Sequence, residues 1–411
     1  MRQILHLGLG RFHRGHQAVF YQKAGGWKVI ASTMRSPDER DKLRKVQLRY
    51  PVLELSFEED KLTWIDCIAE ALSLQHDLPR LQDVLTSPET EIVTLTITEK
   101  GYCLNSSGEL DLKHPGIQKD LAASDGLETA IGFLGRSLNN RKSKLTILSC
   151  DNLRANGSKL KRAVIQFMEA SGLDTRWVED NISFPNTMVD RIVPALLPEK
   201  IRELERALGL THSELIATET FSQWVIEDKF NVLRPDWNRY GVQFVADVKP
   251  FEEMKLRLLN ASHSFLAYAG LNRGHTYVHE AIGDEVLYSK VMDMLMREVV
   301  PVLDIPDDFD VHAYIGQLMR RFRNHKLPHQ LKQIAMDGSQ KMPQRIFSSI
   351  ETAKKSGHSY SLLNEAVNEW LEFLWNSRDE KIDDPQASDL LQGASKGKDI
   401  WKNELRKRLL P

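Results

Sequence analysis

Three residues of the stretch K-L-R-L-L-N-A-S-H (255–263) have side chains that can do chemistry together: Lys255, Asn260 and His263. The amine can carry a proton, the amide can donate a hydrogen bond without titrating, and the imidazole can orient a polar substrate. The segment 250–270 reads as one long helix. Pro250 suits its start, Glu252 and Glu253 lie in the first turn where the dipole favours acids, and Gly270 reads as the cap that ends it. At about 100° per residue the three side chains fall at about 0°, 140° and 80°, on one side of the helix. Lys255 and His263 are then about 12 Å apart along the axis, so a substrate several carbons long laid on that face meets all three. Taken alone, the stretch is equally a solvated lysine, a core asparagine and a satisfied core histidine.

A second set of residues stands near the N-terminus. Residues 2–8 read as a buried strand, Gln17–Ala24 as a helix and 27–32 as a second strand, with G-L-G-R-F-H-R-G-H (8–16) between the first two. This is the opening of a βαβ unit. Gly8 permits a tight turn, and Gly10 lets the backbone approach a pyrophosphate at the helix N-terminus. His13 takes the place of the third glycine of G-x-G-x-x-G. The second strand ends S-T-M-R-S (32–36), where a NAD site carries an acid for the ribose diol. Arg35 and Ser36 occupy that region and Asp38 comes late, so a 2′-phosphate, and with it NADP, stays open beside NAD.

The positioning elements follow from these residues. Residues 91–98 form a β-branched strand leading to Glu99, and 144–149 form another leading into C-D-N-L-R-A-N-G (150–157). Strand ends border the ligand crevice of doubly wound sheets. Asn152 and Asn156 are amide donors there, or caps of the helix expected at 158–172. The Asp190–Arg191 pair in F-P-N-T-M-V-D-R-I-V-P (184–194) reads as a paired, partly buried charge. Residues 126–140 read as a helix, and 223–228 and 242–248 as strands. Beyond Gly270 the pattern is almost wholly helical, with candidates at 285–303, 309–323 and 362–376. The expected division is 1–246 for the dinucleotide half and 247–411 for a mostly helical substrate half. Two polar breaks in the helical half, 320–329 and 337–345, carry Arg321, Arg323, His329, Lys341 and Arg345. If they face a ligand they make a rim for a carboxylate or phosphate; otherwise they are solvated.

Composition narrows the class. The 411 residues carry a net charge of −2, with 41% hydrophobic and 27% charged residues, which gives no basis for nucleic-acid binding. Three scattered cysteines point to a reducing compartment. No apolar run reaches membrane-spanning length and no signal-peptide core is present. The expectation is a cytoplasmic protein, monomeric or weakly dimeric, without membrane or nucleic-acid partners. No His/Cys/Glu set has zinc spacing, so no metal is expected. No G-x-S-x-G elbow marks a hydrolase.

Five motifs, G-L-G-R-F-H-R-G-H, T-I-T-E-K-G-Y, S-C-D-N-L-x-x-N-G, F-P-N-T-M-V-D-R-I-V-P and K-x-x-x-x-N-x-x-H, occur in the order seen in the polyol-specific long-chain dehydrogenases, the mannitol dehydrogenase family. The resemblance spans roughly residues 3–350, and Q-I-A-M-D-G-S-Q-K-M-P-Q-R (333–345) is most similar to the fructuronate reductase (D-mannonate oxidoreductase) branch. It implies an α/β fold, a Rossmann-type N-terminal domain with a mainly α-helical C-terminal domain. It also implies a metal-independent, NAD(P)-dependent oxidoreductase acting between a secondary alcohol and a ketone on an open-chain sugar derivative. Carried across by motif, Lys255 is the general acid/base and His263 positions substrate. Asn260 polarises the carbonyl, with Asn152 as partner and Asn156 as second choice. Arg11 and Phe12 accompany Gly8 and Gly10 at the cofactor, and Arg35, Glu99, Asn156 and Asp190 complete that set. Arg321, Arg323, His329 and Lys341 form the substrate set. The cation supply favours a hexuronate such as fructuronate, reduced to mannonate, over a neutral polyol or a sugar phosphate. A nucleotide-binding sensor without catalysis is the alternative of a different class.

Overall fold

The computed structural model describes residues 1–122, 126–306, 309–380 and 382–409. The chain divides into two compact units, Met1–Lys249 and Pro250–Pro411.

Unit 1 is built on six parallel strands: β1 (Gln3–Leu7), β2 (Lys28–Thr33), β3 (Ile68–Ser73), β4 (Thr90–Leu95), β5 (Leu145–Ser149) and β6 (Ile182–Ser183). Their spatial order is β3-β2-β1-β4-β5-β6. The chain therefore reverses direction across the sheet between β1 and β4, and the carboxyl ends of these two strands border the crevice where such sheets take ligands. Both faces are covered. Leu5, Leu7 and Val93 pack into one apolar cluster, and Ile4, Val29 and Ile92 into the other. That explains why these strands read as continuous apolar runs. Two small three-stranded sheets complete the unit: Ile216–Glu219, Tyr50–Leu55 and Lys61–Ile65 in one, Gln243–Val245, Gln223–Glu227 and Thr187–Asp190 in the other.

Several boundaries differ from the sequence reading. The helix expected at 126–140 is Ala130–Leu138, started by the Thr129 hydroxyl accepting from the Gly132 N–H. β4 stops at Leu95, three residues short of expectation, and Thr98 beyond it adopts φ 64° and ψ 160°. The helix expected from 158 begins at Asn156.

Unit 2 is helical. Its centre is a continuous helix over 249–272 made of Lys249–Met254, a π-helical turn Lys255–Asn260, and Ala261–Asn272. Residues 261–270 are all buried, against Ser361–Asn376, Leu331–Ala335 and Val278–Gly283. Gly270 does not end the helix. A Cβ there would lie 2.7 Å from Leu331 Cδ1 and 3.0 Å from the Ala281 Cβ, so the glycine serves close helix packing. The helix expected over 285–303 is interrupted: Glu285–Asp293 is α-helical, Met294–Val299 is a second π-turn and Val300–Val302 is a 3₁₀ turn. Ser361–Asn376 and Val311–Phe322 lie close to expectation.

Candidate functional site

The two glycines of the first turn are not equivalent. Gly8 sits at φ +104°, and a Cβ on it would fall 2.1 Å from the Thr96 carbonyl oxygen at the end of β4. Fold and conformation both demand glycine there. At Gly10, which precedes the short helix Arg11–Gly15, the nearest atom to an added Cβ is the Gly8 carbonyl oxygen at 3.6 Å. The protein itself does not need that space, which fits a backbone approached by a bound dinucleotide. The close-packing role of a third glycine falls to Gly15, whose Cβ would meet Thr218, Val193 and Ile216 at 2.9–3.1 Å. The fixed spacing of the motif concealed this.

Beneath the turn lies a polar column. The His6 ring contacts Thr94 Oγ1 at 2.8 Å, Thr96 Oγ1 at 3.0 Å and the Gly8 carbonyl at 3.3 Å. His13 stacks on it with centroids 3.4 Å apart. Burial pushes the His6 pKa down to about 3 and holds His13 well below its usual range, so both rings are neutral. Phe12 is half-buried against His16, with centroids 5.1 Å apart. Arg11 is exposed and lines a cavity of about 230 Å³ with Arg14 and Lys42. Arg35 is exposed just beyond β2.

At the ends of β4 and β5 the organising residue is Asp151, which the sequence reading passed over. Its carboxylate accepts the N–H groups of Ile97 (3.0 Å) and Thr98 (2.9 Å) and the Tyr102 hydroxyl (2.7 Å). These bonds hold Thr98 in a backbone region that β-branched residues avoid, a strain of roughly 1–3 kcal/mol of the kind concentrated at functional loops. Burial raises the Asp151 pKa against the opposing pull of its donors. Exposed Asn152 follows directly. Exposed Glu99 stands on the 3₁₀ turn Glu99–Tyr102, and Asp190 is buried at the end of Thr187–Asp190.

Two expectations need correction here. The Asn156 side chain is spent inside the unit. Its Nδ2 donates to Ser149 O (3.1 Å), Asp151 O (3.1 Å) and Thr187 O (2.9 Å), and its Oδ1 accepts the Gly157 and Thr187 N–H groups. It clamps the loop rather than turning toward a ligand, leaving Asn152 as the exposed asparagine of the motif. Arg191 pairs not with its neighbour Asp190 but with Glu54, at 2.5 Å, and also donates to the Gly15 carbonyl.

In unit 2, the π-turn begins at Lys255 and ends at Asn260. Its i→i+5 ladder widens the helix, so each residue advances less than in an α-helix. The angle expected between Lys255 and Asn260 is thereby narrowed, and π-turns of this kind recur at functional sites. Both residues are half-buried. His263 is buried, 4.5 Å from Phe322 and 5.5 Å, edge-on, from His329 by ring centroids. Its Nε2 is buried with no protein partner. Desolvation holds its pKa well below the usual range, reinforced by His329, Arg345, Arg321 and Lys255. The His329 pKa is lowered to about 4 by burial and by Lys341. Two neutral imidazoles thus sit among four cations. Arg323 does not join them: its guanidinium lies over the Tyr288 ring at 4.5 Å and the residue is exposed. Among the described residues no cluster of three or more His, Cys, Asp or Glu is arranged to hold a metal, and no helix is long and apolar enough to cross a membrane.

A parallel sheet of this order, with an open glycine turn at its point of reversal, defines a Rossmann-type oxidoreductase with an all-helical second unit. Residues 2–239 match the mannitol dehydrogenase Rossmann domain and 247–409 the mannitol dehydrogenase C-terminal domain, and the chain belongs to the mannitol dehydrogenase family. It is 40% identical over 386 residues to D-mannonate oxidoreductase of Escherichia coli (strain K12), covering 90% of this chain and 79% of that protein. It is 33% identical to mannitol 2-dehydrogenase of Phaeosphaeria nodorum, covering 94% and 72%. A solved structure of Pseudomonas fluorescens mannitol 2-dehydrogenase, a ternary complex with NAD and D-mannitol, superposes with TM-score 0.86 at 33% identity, covering 96% and 85%.

Proposed function

We propose that this chain is an NAD-dependent reductase of an open-chain hexuronate, D-fructuronate to D-mannonate, working reversibly. One observation carries the substrate choice: Arg345 and Arg321 lie near enough to His263, and Lys341 to His329, to help keep each imidazole neutral, so the two rings stand among cations. That environment favours an anion. The 40% identity to a D-mannonate oxidoreductase supports the same choice. The orphaned Nε2 of His263 is the kind of buried polar atom that a substrate hydroxyl satisfies.

The open space at Gly10 would let the backbone hold a dinucleotide pyrophosphate, and the exposed Arg35 would serve the adenosine ribose. Bound nicotinamide supplies or accepts the hydride at the substrate carbon. Lys255 gives its proton to the oxygen that becomes the alcohol and takes it back in oxidation. Asn260 donates its amide N–H to the developing alkoxide, which a neutral donor can do at any pH, and the family motif gives Asn152 the same role. His263 orients the substrate through a hydroxyl, and Arg321, His329 and Lys341 receive the carboxylate end.

The test is kcat/KM for fructuronate against fructose and fructose 6-phosphate. A charge-assisted hydrogen bond contributes about 1.5–3 kcal/mol, so the acid is expected to win by roughly 10–150-fold. Fructose equal to or better than fructuronate overturns the choice and restores a mannitol 2-dehydrogenase, the reading that the likeness to those enzymes favours. A win for the phosphate moves the assignment to a sugar phosphate.

A further inference from the structure

The π-turn that aligns Lys255 with Asn260 is gripped from outside the helix. Arg345 Nη1 donates to Ser264 Oγ at 3.0 Å and to the Asn260 carbonyl at 3.4 Å. Ser264 is buried, so the contact lies within the packed interior. Arg345 itself lies on another π-turn, Pro343–Phe347, which packs against Lys255–Asn260. A π-turn is a rare, poorly self-stabilised geometry that persists only when its surroundings hold it. An α-helical register at these residues would swing Asn260 away from Lys255.

We propose that Arg345 is a positioning residue: it fixes the last residue of the π-turn and the following turn of helix, and so sets Asn260 and Lys255 on a common line. Its part in the reaction is then exerted through the helix and not through the substrate carboxylate. The inference rests on the reading of Lys255 as acid/base and Asn260 as carbonyl donor. It differs from the role of Arg321 and Lys341, which are assigned to the acid itself.

The experiment compares wild type with Arg345→Gln and Arg345→Lys in the full chain, by kcat and KM with fructuronate and with the neutral ketose fructose. A substrate-free readout accompanies it: competitive acetylation of Lys255 across pH, followed by mass spectrometry. A displacement of the order of an ångström lowers rates by roughly 100-fold, so Arg345→Gln is expected to lower kcat 10- to 100-fold on both sugars. KM should change little, the lysine variant should recover part of the loss, and the pH profile of Lys255 acetylation should shift. A rise in KM confined to fructuronate with kcat kept would show that Arg345 holds the carboxylate, and overturns the proposal. So does an unchanged kcat with unchanged Lys255 acetylation. If Arg345→Gln does not fold, Arg345→Lys and Ser264→Ala carry the same comparison. If wild type reduces neither sugar, the functional reading fails by itself, and the acetylation profile alone decides the fate of the positioning role.

Discussion

The glycine turn of unit 1 and the helix face of unit 2 solve different problems. Three side chains around the turn are engaged internally, His6 with two threonines and a carbonyl, Asp151 with two backbone amides and a tyrosine, Asn156 with five backbone groups, while both ring nitrogens of the buried His13 are without a partner. What the turn offers a ligand is shape and backbone. On the helix face the buried Nε2 of His263 is without a hydrogen-bond partner, and two neutral histidines stand among cations. Shape suffices where the ligand is an invariant dinucleotide. Charge and a proton donor are needed where a bond is made or broken.

The largest effect that tests this contrast is on the helix face. Lys255→Ala should lower kcat by 10²- to 10⁴-fold, roughly the contribution of a positioned acid/base. Cofactor affinity, measured by calorimetry, should barely move. Near-full kcat would remove Lys255 from the chemistry.

In unit 1 the expected losses are of stability and binding. Gly8→Ala should destabilise the fold by about 3 kcal/mol or more, since both its φ and the Thr96 carbonyl oppose a side chain. Gly10→Ala should leave the melting temperature unchanged. The bulkier Gly10→Val should abolish dinucleotide binding. Equal stability loss at both positions would reduce the turn to a structural feature.

Acid should act on both units. The His329 pKa is lowered from 6.5 to about 4 by folding, so between these values the unfolded chain binds more protons. Its contribution is fully present above pH 6.5 and is lost as pH falls toward 4, with an upper limit of about 3 kcal/mol. The buried His6, His13 and His263 add losses of the same sign. Denaturant unfolding at pH 7 and pH 5 should show this loss, and His329→Gln should shrink the difference. An identical pH slope in that variant would place the titration elsewhere.

The two asparagines of unit 1 sharpen the comparison further. Asn156→Ala should cost about 2 kcal/mol of stability through orphaned buried groups, visible as a lowered denaturation midpoint. Asn152→Ala should keep the midpoint and lose kcat. The reverse pattern would exchange their roles. The smallest effect belongs to Arg323→Ala, expected to change kcat/KM less than about twofold because the guanidinium is occupied with Tyr288.

The sequence by itself determined the sheet and its opening turn. Apolar runs and glycine spacing are local signals, so β1, β2 and the helix Gln17–Ala24 could be read within a residue or two. Lys255, Asn260 and His263 are proposed from their types and spacing, and the structure carries all three on the continuous helix over 249–272. Only the tertiary structure decided the rest. Nothing in residues 255–260 marks a π-turn, because it is held by packing against Pro343–Phe347 and by Arg345, some eighty residues away. Nothing near Arg191 names Glu54 as its partner, and Gly270, locally a helix cap, becomes a packing glycine once Leu331 and Ala281 press on it. Asp151 carries no local signal because its meaning lies in the amides of Ile97 and Thr98, in the loop beyond β4. Local periodicity records backbone preference, whereas ion pairing, strain and desolvation depend on which distant groups the fold brings within a few ångströms.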